Sequence, residues 1–131
     1  MLYDNFVVTK QTLKKRGLFL QLVATVIIWS VLPFGLLLHG SIWIYQQIYF
    51  PIYDIPKVRF SDYCIFDRYK LRHLNIFQKL ACLYCEYANG GVAWLKAIVN
   101  RTEIYSCSIK HNVHKEGQEH QKDFFEYKAF Q

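Results

Sequence analysis

Four residues of this chain have the types and spacing of a metal site: Cys82 and Cys85 in "KLACLYCEYANGG", and Cys107 and His111 in "YSCSIKH". Three thiolates and one imidazole suit Zn²⁺, which accepts tetrahedral sulfur and nitrogen ligands without changing oxidation state. Iron would take a similar set if the site moved electrons. Cys82 and Cys85, at i and i+3, share a helical face, while Cys107 and His111 stand four apart, on one face or across one turn. The same Cys-x-x-Cys also occurs in thiol–disulfide exchange. That chemistry uses a cysteine at a helix N-terminus within a βαβ pattern, and Cys82 falls about two turns into its expected helix with no such pattern before it. The structural alternative is that these cysteines are small buried hydrophobes.

Other reactive side chains are more scattered. Cys64 reads as a core residue, with lipidation or metal ligation as its alternatives. His114, Glu116, Glu119 and His120 would form a second, labile metal site only if something held them together, and their segment has no apolar period to do so; it reads as a solvated tail. Asp67, Glu86 and Glu103 are isolated carboxylates. No Ser-His-Asp order, phosphate loop or His-Glu-x-x-His accompanies them, so nothing in the chain demands an enzyme.

To bring the four candidate ligands together, the chain must fold back on itself. Asn75 has the chemistry of an N-cap, followed by a helix over 76–88 with Ile76, Leu80 and Leu83 in one stripe. Gly90 and Gly91 are expected to end it, and a second helix over 92–105 then returns antiparallel, carrying Cys107 towards Cys82. The region 54–111 is thus expected to be a small helical-hairpin metal-binding domain, in which a metal crosslink would add to a modest core. Ahead of it, "PIYDIPKVRFSDYCIFDRYKLRHL" reads as an extended linker in which Pro51 and Pro56 oppose helix and "YCIFDRYKL" forms a short strand. Residues 112–131 form a polar tail ending in aromatics.

The N-terminal part is of another kind. After a basic segment, 1–16, no Asp, Glu, Lys or Arg occurs from Gly17 to Tyr53, and 18–38 alone has the ~20 apolar residues that cross a hydrocarbon core. The chain is expected to be a membrane protein with a membrane-embedded segment over 17–53. As one helix that segment would extend ~55 Å, beyond a bilayer, so a bend is expected. One solution is a single span followed by an interfacial helix over 41–50, with Trp43, Tyr45, Tyr49 and Tyr53 at headgroup depth and Gln46 and Gln47 in water. The other is a re-entrant hairpin broken at Pro33 and Gly35, with both basic flanks cytoplasmic. His39 would lie at headgroup level. The net charge of +6 suits anionic lipid; no arginine-rich run or nucleic-acid fold signature points to nucleic acid. No cleavable signal sequence is apparent, and the four cysteines are expected to be reduced.

The stretch from Tyr49 to His111 resembles a family of small bacterial membrane-associated proteins with no established activity. Members carry patterns similar to Asn-Cys-x-Tyr-Cys-x-Tyr-Ala-Asn-Gly and Arg-Thr-Glu-x-Tyr-x-Cys-Pro-Ile-Lys-His. Cys82, Tyr84, Cys85, Tyr87, Ala88, Asn89 and Gly90 stand at the first, and Arg101, Thr102, Glu103, Tyr105, Cys107, Ile109, Lys110 and His111 at the second. Ala81 and Ser108 depart from it, at the Asn and the Pro. The resemblance implies a bacterial inner-membrane protein with a common fold and site. Together these readings give a mainly α chain: a membrane-anchored zinc (or iron) protein, its soluble part cytoplasmic, serving as an accessory or docking subunit of a larger membrane complex or of a homo-oligomer. A membrane-bound thiol-redox or iron-thiolate electron-transfer protein is the alternative.

Overall fold

The computed structural model describes Lys10, Lys14 and residues 16–131; the rest of the basic N-terminal segment lies outside the described residues. The chain is mainly helical and is built on two long helices, α1 (Leu18–Ile52) and α2 (Ile76–Ser106). α1 is one unbroken helix of 35 residues, so neither the re-entrant hairpin nor a separate interfacial helix forms. Pro33 and Pro51 both lie inside it. Proline removes a helical N–H, but a long apolar helix accommodates that loss, and Pro51 sits in the final turn. The hydroxyls of Thr25, Ser30 and Ser41 donate to backbone carbonyls three or four residues earlier, so these three groups are satisfied within the helix.

The end of α1 is defined by local hydrogen bonds. Ile55 N–H donates to Phe50 O (2.9 Å) and Asp54 N–H to Pro51 O (3.4 Å), with Asp54 at φ 54°. This is a Schellman arrangement with aspartate where glycine is usual, and its apolar pair, Phe50 and Ile55, is buried.

From there the chain turns back along α1 in irregular backbone, with single 3₁₀ turns at Phe60–Asp62 and Arg68–Lys70 and no strand among the described residues of this segment. The expected strand at "YCIFDRYKL" is absent because Asp67 and the second turn interrupt it. α2 then opens with a capping box. Gln78 N–H donates to Asn75 Oδ1 (2.8 Å), and Gln78 Oε1 accepts from Asn75 N–H (3.1 Å).

The expected hairpin does not form: α2 continues through Gly90 and Gly91. Gly90 has a packing role instead. A Cβ there would stand 2.7 Å from Cys64 Cα and 2.8 Å from Tyr63 O, so the glycine lets the returning segment cross the helix at backbone distance. Gly91 has open space around it.

α1 and α2 run parallel. Tyr84 reaches Ile28, Tyr87 reaches His39, and Thr102 reaches Tyr45, with the returning segment packed beside them. The core is Phe50, Ile55, Val58, Trp94 and Ile98, so the C-terminal part of α1 belongs to the folded domain rather than to a membrane surface. The tail folds onto the far end of α2 through a bridge between Ile109 and Phe125, and Phe124 is buried.

Candidate functional site

The four expected metal ligands are carried by α2 and its end, and the continuity of that helix keeps them apart. Cys82 and Cys85 occupy its first half, whereas Cys107 is its C-cap, about 25 positions after Cys82, or roughly 37 Å along a straight helix. His111 lies beyond Cys107, exposed, beside the tail. Among the described residues no three His, Cys, Asp or Glu side chains converge as metal ligands. A four-ligand site within one chain therefore does not fit this geometry, which lacks the reversal at Gly90–Gly91 that would have built it. All four cysteines are free; Cys64 is buried, Cys82 half-buried, and Cys85 and Cys107 exposed.

The polar exceptions of the uncharged run are where the structure concentrates its specific contacts. His39 Nδ1 pairs with Tyr87 Oη at 2.7 Å, and the imidazole packs on the rings of Phe60 (4.7 Å) and Trp94 (4.9 Å). His39 is thus a polar pin between the two helices. Beside it a cavity of about 140 Å³ separates α1 from α2, lined by small and apolar residues including Gly35, Leu38, Ala88 and Gly91.

Gln46, 3% exposed, accepts Val58 N–H through Oε1 at 2.8 Å, and Gln47 Oε1 accepts from Lys57 Nζ. Both amides bind the returning segment. Among the four expected interfacial aromatics, Tyr45 and Tyr49 pack against the core, their rings stacked 5.0 Å apart, and Tyr45 Oη meets Thr102 Oγ1 at 3.0 Å. Trp43 and Tyr53 remain exposed.

Two further polar groups hold the domain. The Glu86 carboxylate is buried, and its Oε1 accepts Arg68 N–H at 3.2 Å while the Arg68 guanidinium stands 3.5 Å away. Cys64 Sγ donates to the Glu86 carbonyl; burial, and secondarily the Glu86 charge, push that thiol's pKa above its ordinary value. At the other end His120 Nε2 meets Glu103 Oε2 at 2.6 Å, and Gln121 Nε2 donates to Glu103 Oε1 at 3.0 Å. The tail is therefore docked here rather than solvated.

The signal for these contacts was visible in part, because a histidine or glutamine inside an uncharged run calls for a partner. Which partner depended on the parallel course of α2. No family model, no curated protein and no solved structure matches the chain.

Proposed function

We propose that the chain is a membrane-anchored docking module whose anchor and folded domain share one helix. The observation that carries this reading is the division of labour along α1. The helix is long and apolar enough to cross a membrane, its apolar window has no burial within the protein, and yet its later residues Gln46 and Phe50 are buried in the domain core. Without a flexible linker, the domain is held at a fixed attitude to the bilayer. That is the property an accessory subunit needs to present one face to a larger membrane complex or to a second copy. The exposed stripe Trp43, Ile44, Ile48 and Ile52 on the later part of α1 offers a face for such a contact.

The test is extraction. Membranes containing the protein should retain it in alkaline carbonate and release it in detergent; recovery in the carbonate supernatant would refute the anchor. We place the domain on the cytoplasmic side on the basis of its free thiols. With a single span, the two chain ends then lie on opposite faces, and protease access to each end in oriented vesicles tests the assignment.

A second reading retains the Cys82–Cys85 pair. Two unpaired thiols on one face of α2 are half of a tetrahedral zinc site, and the same pair of a second copy would complete it. Iron-thiolate electron transfer and thiol exchange are the redox forms of this reading. Elemental analysis decides: one zinc per two chains, lost in Cys82→Ser and kept in Cys107→Ser, supports the shared site. One zinc per chain, lost in Cys107→Ser, would restore the single-chain site.

A further inference from the structure

The return of the chain along α1 places charged, irregular backbone where a lone spanning helix would meet only lipid. Tyr84 Oη donates to Ile28 O at 2.8 Å, and its ring lies 5.0 Å from that of Trp29. Phe66, Leu80 and Leu83 line one cavity with Trp29, Leu32 and Leu36. These α1 residues fall inside 18–38, the stretch with the length and composition of a span. The membrane-facing end of the domain therefore lies beside the span rather than beyond it.

The outer surface of that end is amphipathic. Ile65, Tyr69, Leu71 and Ile76 are exposed, with Ile65 at 66% and Ile76 at 64%. Interleaved with them are Lys70, Arg72 and Lys79, opposed within 65–83 by Asp67 alone, while Arg68 faces Glu86. Bare irregular backbone is not stable in hydrocarbon, but long basic side chains bury their stems in acyl chains and carry their charge to headgroups.

We propose that residues 65–83 form a wedge in the leaflet next to the domain, and that Lys70, Arg72 and Lys79 bind anionic phospholipid headgroups drawn down beside α1. Apolar residues supply insertion and the basic residues select the lipid, so the leaflet is locally thinned on one side of the helix. This inference rests on α1 being membrane-inserted, which carbonate extraction of the same vesicles tests separately.

The experiment reconstitutes the full chain into vesicles of phosphatidylcholine, with and without phosphatidylglycerol, and follows amide hydrogen exchange over 65–83. The expected result is slower exchange in the anionic vesicles, reversed by salt. The double charge reversal Lys70→Glu/Arg72→Glu should abolish the difference, the two lost contacts weighing roughly 30-fold in headgroup binding at low salt. Reversal of Lys115 and Lys122 on the tail should leave it intact. Equal exchange in the two vesicle types, with the protein carbonate-resistant in both, would overturn the headgroup assignment. Protection that follows protein concentration instead of lipid charge would overturn it in favour of a second copy seated on the wedge.

Discussion

Replacing the two adjacent glycines of α2 by alanine should shift stability in opposite directions. At Gly91 an added methyl meets open space, and alanine is the better helix former by about 1 kcal/mol, so Gly91→Ala should stabilise by roughly that amount. At Gly90 the same gain is opposed by backbone contacts of 2.7 and 2.8 Å with Cys64 and Tyr63, which no rotamer change relieves. Overpacking of this kind costs about 1–3 kcal/mol. Helix propensity is common to both variants, so their difference reads the Cys64 crossing alone. Thermal unfolding in detergent, followed by helical circular dichroism, should separate the two midpoints by ~4–8 °C per kcal/mol. If Gly90 and Gly91 instead ended one helix and began another, Gly91→Ala would be the damaging change. Equal shifts, or a larger loss at Gly91, would refute both the continuous helix and the separation of Cys82 from Cys107 that follows from it.

Trp94→Ala should destabilise by about 3–5 kcal/mol in the same assay, because the ring is 2% exposed and its Nε1 donates to Val58 O at 3.1 Å. Asp54→Gly should raise the unfolding midpoint by relieving a left-handed residue at φ 54°, worth about 1 kcal/mol; an unchanged midpoint would count against the Schellman end of α1. Cys64 should resist maleimide while Cys85 and Cys107 react. Its folded pKa lies above the unfolded value of 9.0, so its contribution is complete below that pH and declines as pH rises towards the folded value. Cys64→Ala should flatten that alkaline decline; an identical pH profile would remove the thiol from the account.

What the sequence made legible follows from which interactions are local. The apolar start of α1 and the Asn75 cap are each written within a few residues, and the described helices match them. The glycine pair misled because "NGG" is helix-ending chemistry when nothing else is known. Only the approach of Cys64, 26 positions earlier in the chain, shows that a missing side chain was needed there rather than a left-handed turn. The same long-range fact moved the cysteines: spacing that reads as a ligand set across a hairpin becomes two distant places on a rod. Gln46 and His39 were legible as exceptions in an uncharged run, but not as seam residues, since their partners Val58 and Tyr87 lie 12 and 48 positions away.

That last separation orders events during synthesis. α1 is polymerised before any of α2 exists, and Tyr87 follows His39 by 48 residues, about 2–10 s at ordinary elongation rates. Through that interval the imidazole lacks the Tyr87 hydroxyl and the Trp94 ring that hold it in the folded chain. His39 is thus a seam residue completed late: Tyr87 and Trp94 close over it only once the first half of α2 has been made.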